Sequence, residues 1–198
     1  SWCLRHKVGK METKKFLERV LGDGYYSVLG LGEKKAQSFH TTIDDVINKA
    51  NELDARGVNA YFGLATFETS NDRKVTNVKS LSSFYLDLDC GVGKEYSSQN
   101  EAFLDLKRFI NETGLPRPML VNSGYGVHVY WVLKESVSYG EWLPVAQGLK
   151  DMCIQHNLSA DNGVTADAAR VLRVPGTHNH KRGTQKPVGF FGTGEFRD

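Results

Sequence analysis

Apolar positions along the chain switch repeatedly between helical and strand spacing. Residues 11–21 predict a first helix that stops at Gly22. A better-marked helix follows Thr41 or Thr42, where Ile43, Val46, Ile47, Ala50 and Leu53 recur at helical spacing. Asp44 and Asp45 fall in its first turn, and Gly57 follows Arg56, where a left-handed cap belongs. Residues 59–67 then predict a strand, and the polar stretch 69–79 a loop. From Leu81 the pattern becomes regular. Residues 82–90 alternate as a strand, and Ser98 with Glu101 spells a capping box. That box opens a helix carrying Ala102, Phe103, Leu106, Phe109 and Ile110, ended by Gly114. Residues 119–122 form a short strand, and the Ser123-Gly124-Tyr125-Gly126 turn leads into another at 127–133. Ser138 with Glu141 heads a helix to about His156; residues 170–174 make a strand stopped by Pro175-Gly176, and 187–191 one more.

Residues 82–174 thus run β-α-β-β-α-β, the split-βαβ order of a ferredoxin-like α+β fold. This predicts antiparallel strands in the spatial order 4-1-3-2, with both helices on one face. Residues 11–80 are then an N-terminal α/β unit and residues 81–192 the core, within a single domain covering 1–198. Strand alternation turns Phe84, Leu86, Leu88 and Cys90 toward the helices, and Tyr85, Asp87 and Asp89 toward the open face. Val127, Val129, Trp131 and Leu133 likewise face the helices, leaving His128 and Tyr130 on the open side. The third strand lies beside the first, so His128 is expected near Asp89. The fourth flanks the first on its other side and brings Asp167 to the same end, where Ser123 closes the second strand.

The composition is that of an ordinary folded domain. The chain has 198 residues, 40% hydrophobic and 24% charged, which excludes wholesale disorder. No stretch approaches the roughly 18–20 apolar residues of a membrane span, and the first residues lack the apolar core of a signal peptide. Cysteines at 3, 90 and 153 have no paired spacing, against a disulfide framework or a zinc site. These features predict a soluble, cytoplasmic protein, in the host's cytoplasm if viral, and the initial serine predicts a piece of a larger one. A net charge of +2 is too small to demand a polyanionic partner. Its distribution changes the picture. No acid lies between Asp167 and Glu195, a stretch holding Arg170, Arg173, Lys181, Arg182, Lys186, His178 and His180. Such a run fits phosphate contact.

Aspartates one residue apart on a strand suit Mg²⁺ or Mn²⁺, which take hard oxygen ligands. Two such ions, about 3.5–4 Å apart, can clamp the attacking and leaving oxygens of a displacement. Backbone N–H groups around residues 123–127 could cradle phosphate, because Gly124 and Gly126 allow close approach. His128, Arg173 and Lys181 could neutralise a triphosphate. A single-strand-binding module of the same topology would instead carry stacking aromatics on its open face. Here those places hold Asp87, Asp89 and His128, with only Tyr85 and Tyr130 nearby, and acids repel a nucleic-acid backbone unless metal intervenes. A nicking nuclease expects two histidines around a hydrophobic residue, and Val127-His128-Val129 offers one. His178-Asn179-His180 spells a nuclease motif without its context.

Three motifs in order carry a family resemblance. The first is Phe84-Tyr85-Leu86-Asp87-Leu88-Asp89; the second is the Ser-Gly-x-Gly-x-His-x-Tyr-Trp element at 123–131. The third is Asp167 followed by Arg173-Val174-Pro175-Gly176-Thr177-His178-Asn179-His180-Lys181. Together with Tyr61-Phe62-Gly63-Leu64-Ala65, they resemble the archaeo-eukaryotic primase (AEP) superfamily, especially primase-polymerases of phages, plasmids and mobile elements. The resemblance spans roughly residues 59–190. It implies a modified RNA-recognition-motif (RRM-like) core joined to an N-terminal α/β unit, and a nucleotidyltransferase that makes primers on single-stranded DNA from NTPs or dNTPs. Asp87, Asp89 and a third acid would bind Mg²⁺ or Mn²⁺, and no zinc is expected. Asp167 is favoured as that acid because it abuts a strand, with Asp161 as the alternative. Ser123 and His128, with the Gly124 and Gly126 turn, would hold the triphosphate, helped by Arg173 and Lys181. A helicase module is expected in the full-length protein or in trans.

Overall fold

The computed structural model describes residues 9–191. In chain order the elements are α1 (Lys10–Val20), β1 (Tyr26–Leu31), β2 (Lys35–His40), α2 (Ile43–Ala55), β3 (Asn59–Gly63) and β4 (Ala65–Phe67). Next come β5 (Val78–Leu88), α3 (Gln99–Thr113), β6 (Met119–Asn122), β7 (Val127–Val137), α4 (Tyr139–Gln155) and α5 (Asn162–Thr165). The short strands β8 (Val171–Arg173), β9 (His178–Asn179), β10 (Lys186–Pro187) and β11 (Gly189–Phe190) complete the α+β architecture. One sheet has the order β2-β1-β3-β8, a second has β11-β6-β7-β5-β4, and β9 pairs with β10.

Local chemistry sets most helix ends. The Thr42 hydroxyl accepts the Asp45 amide, and Gly57 and Gly114 take the left-handed conformation after α2 and α3. The capping box at Ser138 and Glu141 is complete. At Ser98 only half of the expected box forms. Its hydroxyl accepts the Glu101 amide, but the Glu101 carboxylate turns to Ser97, accepting its amide at 2.7 Å and its hydroxyl at 2.6 Å.

The stretch 59–67, expected as one strand, divides at Leu64. The Leu64 amide donates to the Arg170 carbonyl at 3.0 Å, and the two halves enter different sheets. At the crossing a Cβ on Gly63 would stand 2.2 Å from Ser27 Oγ, so the chain passes there at glycine distance. This division reorders the expected topology. β4 occupies the flank of β5 that residues 170–174 were expected to fill, while β8 pairs with β3, Tyr61 opposite Arg173. The two sheets therefore exchange strands relative to the expected order, β4 joining β5 and β8 joining β3. The β1–β2 hairpin was not anticipated, because β2 is exposed or half-buried along its length and shows no apolar alternation.

The second sheet buries both faces. Leu86, Leu88, Val127 and Val129 pack with Leu106 and Phe109 of α3 and Leu149 and Cys153 of α4, as the alternation requires. The opposite face, expected to be open, is a second core shared with the first sheet. Tyr85 and Tyr130 are fully buried there, Phe16 of α1 meeting the Tyr130 ring edge-on at 5.2 Å. Access from solvent is left at the end of β5, where its acidic residues emerge. Cys90 and Cys153 are separate buried thiols, and Cys3 lies outside the described residues.

Candidate active site

Asp87 is the penultimate residue of β5 and stands directly opposite His128 of β7. The register thus puts the histidine against Asp87 rather than Asp89, with Nε2 3.5 Å from Asp87 Oδ1. Asp89 follows just beyond the strand. The third acid comes from the segment between α4 and β8. The Asp161 amide donates to the Asp87 carbonyl at 2.9 Å, and its carboxylate caps α5 by accepting the Gly163 amide. Asp87, Asp89 and Asp161 each offer an oxygen, all within 4.8 Å of one another.

Asp167, favoured from the sequence, is not in this group. It lines the same cavity, but its carboxylate accepts the Ala169 amide at 3.0 Å and lies 3.9 Å from Arg170 Nη1. Its carbonyl takes the Tyr85 hydroxyl at 2.7 Å. The departure of β8 to the other sheet explains the exchange: the strand expected to deliver Asp167 to β5 is not beside it. Arg170 stands between the two acids, with Nη2 3.8 Å from Asp161.

Burial pushes the Asp87 carboxyl up to about 7, aided by the charges of Asp89 and Asp161 and only partly offset by Arg170 and Lys181. Three hard oxygen donors that repel one another are a donor set in want of a cation, and they fit Mg²⁺ or Mn²⁺. His128 is different from expectation. Burial, with the Arg173 charge second, pushes it down to about 3, so it is neutral and cannot offset phosphate charge. Its Nδ1 is buried without a partner.

The glycine turn packs on the acid-bearing strand. A Cβ on Gly126 would lie 2.4 Å from the Leu88 carbonyl, and one on Gly124 (φ +98°) 2.7 Å from Asn179 Cβ. Two of the amides expected to cradle phosphate are spent inside the turn. Gly124 N–H donates to Asn122 Oδ1 at 2.8 Å and Gly126 N–H to Ser123 Oγ at 3.1 Å. Ser123, Tyr125 and Gly126 line the cavity; Gly124 acts behind them.

Cations wall the rest of this space, which has a volume of about 780 Å³. Arg173 is buried over the Tyr61 ring, 4.8 Å from its centroid, and its Nη1 donates to Asn59 at 2.7 Å. Lys181 and Arg182 enter from the β9–β10 connection, which two anchors hold. Asn179 donates from Nδ2 to the Ser123 carbonyl, and Asp54 of α2 accepts His178 N, His178 Nδ1 and His180 Nε2, each at 2.8 Å. The His-Asn-His letters are therefore a fastening of the basic segment to α2. Sequence reasoning missed Arg73, Lys74 and Lys94 on the cavity wall. Arg73 donates to the Ala169 carbonyl and to Gln37, and Lys94 Nζ lies 3.6 Å from Asp89. Arg73 and Lys74 sit in a polar loop with no periodic signal. Lys94, just past the acid pair and Gly93, was the one with a positional hint.

No protein-family model matches the chain. It is 28% identical over 179 residues to a replication protein of Clostridium perfringens, an alignment covering 88% of this chain and 42% of that protein. The chain thus spans less than half the length of this curated relative. The backbone is similar to the AEP domain of the cyanophage S-2L primase-polymerase, with TM-score 0.60 and 16% identity over 88% of this chain and 85% of that one. It is also similar to the polymerase domain of Mycobacterium tuberculosis Ligase D, solved in complex with DNA. There the TM-score is 0.52 and identity 14% over 84% and 73% of the two chains. Among the described residues no helix is long and apolar enough to cross a membrane. The chain has the fold of AEP primase-polymerase domains that its three motifs led us to expect.

Proposed function

We propose that this chain is the nucleotidyltransferase domain of a replication protein, a DNA primase or primase-polymerase that joins nucleotides on a single-stranded DNA template. One observation carries the reading: Asp87, Asp89 and Asp161 converge, and the first two open on a cavity whose walls are otherwise rich in Arg and Lys. The three carboxylates would hold Mg²⁺ or Mn²⁺, which when bound supply charge neutralisation and align the attacking and leaving oxygens. Arg170, Arg173 and Lys181 would meet the triphosphate of an NTP or dNTP. The Ser123 hydroxyl and the neutral His128 would contribute hydrogen bonds rather than charge. Arg182 and Lys186, both packed on the Tyr125 ring at 4.7 and 4.3 Å, extend the basic surface outward toward a nucleic-acid backbone.

Within the second sheet, β4-β5-β7-β6 with α3 and α4 on one face fits an RRM-like core in which β4 takes the fourth place. Residues 1–198 would form one domain, with a helicase module elsewhere in the full-length protein or in trans. A passive single-strand-binding platform is disfavoured by Tyr85 and Tyr130. Both rings are buried between the sheets and have no face to offer a base.

The test is incorporation of labelled nucleotide on single-stranded DNA, with and without an annealed primer, in Mg²⁺ and Mn²⁺, beside the Asp87→Ala/Asp89→Ala protein. Products that vanish in the double variant are expected. Metal-independent strand binding with no product would overturn the reading.

A further inference from the structure

The cations around the cavity find different partners. Lys94 lies 3.6 Å from Asp89 and Arg170 3.8 Å from Asp161, while the buried Arg173 donates to Asn59. Arg182 and Lys186 are exposed and share one partner, the ring of Tyr125. No acid lies between Asp167 and Glu195, so their own segment supplies nothing to balance them. Tyr125 and Arg182 line the cavity and Lys186 stands outside it, which puts the ring at the rim.

The ring itself is anchored. Its hydroxyl pairs with Thr184 Oγ1 at 2.6 Å and lies 3.4 Å from the Lys181 carbonyl. The Ser123 amide closes the turn beneath it by donating to the Gly126 carbonyl at 3.1 Å. Arg182 occupies a costlier position. The Thr184 amide donates to the Lys181 carbonyl at 3.2 Å, and the two residues between them, Arg182 (φ 58°, ψ 30°) and Gly183 (φ 66°), both take positive φ. Such a turn calls for Asn, Asp or Gly at its first central place, and arginine there is strained. From that place Arg182 reaches both Tyr125 and the loop after Asp89, its Nη1 lying 3.6 Å from where a Cβ on Gly91 would stand. Strain kept in a cavity wall points to a ligand that uses the strained residue.

Resting on the reading that this chain works on single-stranded DNA, we infer that Tyr125 is a stacking platform for one base of a strand, with Arg182 and Lys186 as its phosphate grips. An exposed cation gains little from a ring face, whereas a phosphate offers charge-assisted hydrogen bonds that a guanidinium makes in pairs. Two like charges gathered at one ring also repel each other, and a backbone phosphate removes that cost. A strand arriving here therefore draws both cations toward its phosphates, and the bared ring takes a base, a contact indifferent to base identity. An acidic peptide would answer the two cations but leave the ring in water. Tyr125 differs in this from Tyr85 and Tyr130, whose rings are sealed between the sheets.

The test compares binding of oligothymidylate with binding of an abasic oligomer of equal length, each over a series of salt concentrations. The wild type should prefer the base-bearing strand by about fivefold to hundredfold. Tyr125→Leu should bring that ratio to within about twofold of one, while Tyr125→Phe, which keeps the ring, should preserve it. Arg182→Gly, which suits the positive φ, and Lys186→Gln should weaken both oligomers alike and each reduce the salt slope by about 0.7. Affinity for a fluorescent nucleotide in Mn²⁺, without DNA, should stay within about twofold in Tyr125→Leu. A ratio that ignores Tyr125→Leu, a Tyr125→Phe protein that behaves as Tyr125→Leu, or an unchanged salt slope in both cation variants would overturn the inference. So would an equal loss of nucleotide affinity, which would give the ring to the incoming base. Primed templates made abasic in the overhang or at the primer end assign the stacked base to one strand, and an effect of neither would also overturn it. Failure of the wild type to incorporate nucleotide, with the base ratio intact, would sink the nucleotidyltransferase reading and leave the platform standing.

Discussion

Neutralising Asp87 should stabilise the metal-free protein, and the effect should grow with pH. Its carboxyl rises from an ordinary 3.8 to about 7 because it is buried beside Asp89 and Asp161. A change of that size corresponds to at most about 4 kcal/mol. The side chain keeps 18% of its surface exposed, so water and relaxation reduce this to about 2–4 kcal/mol. The sign follows from linkage. With the folded-state value above the unfolded one, the folded protein holds the proton more tightly between about pH 4 and pH 7. Asp87 therefore costs stability progressively as pH rises through that window and by a constant amount above it. Asp87→Asn keeps the shape without the charge. Urea melts in chelator should show the variant more stable than wild type at about pH 8, with the gap shrinking by about 0.5–2.5 kcal/mol on going to about pH 5. Saturating Mn²⁺ should reverse the ranking, because only the wild type retains the full donor set and gains the binding energy. A variant less stable than wild type in chelator at about pH 8, or a gap that ignores pH, would refute the electrostatic account of the cluster.

Three further outcomes follow from the geometry. Asp161→Asn should weaken Mn²⁺ binding and activity by more than the roughly tenfold to hundredfold that an outer-shell loss costs. Asp167→Asn should fall within that range, and isothermal titration with Mn²⁺ separates the two. Gly126→Ala places a methyl 2.4 Å from the Leu88 carbonyl and must displace the turn; we expect a loss of about 1–3 kcal/mol in urea melts and about a hundredfold in incorporation. Asp54→Asn loosens the hold on His178 and His180, which should raise the KM for nucleotide while leaving Mn²⁺ affinity unchanged in titration.

Much of the fold was legible where its signals are local. The caps at Thr42 and Ser138, the glycine ends of α2 and α3, and the alternation of β5 and β7 each act within a few residues. The side chains that pack on α3 and α4 could be assigned before any contact was seen. The hairpin of β1 and β2 was not, since an exposed edge strand such as Lys35–His40 needs no apolar alternation. Nor could the fate of residues 59–67 be read. Nine strand-compatible residues carry no mark of a division, which is fixed by a remote bond from Leu64 to Arg170 and by a glycine meeting Ser27.

That division is what decided the site. Strand alternation sufficed to put Asp87 and Asp89 together, and the glycine turn sufficed to bring Ser123 near them. The choice between Asp161 and Asp167 depended on which strand flanks β5, and the expected ferredoxin-like order favoured Asp167. Once β4 takes that flank, β8 leaves with the first sheet, Asp167 turns its carboxylate to the Ala169 amide, and α5 sets Asp161 against the end of β5. His128 shows the same dependence. Sequence alternation placed it on an open face, where it would carry charge, but the first sheet closes over that face and burial leaves the ring neutral. Sequence thus named the chemical groups, and the exchange of one strand between two sheets determined which of them meet and in what state of charge.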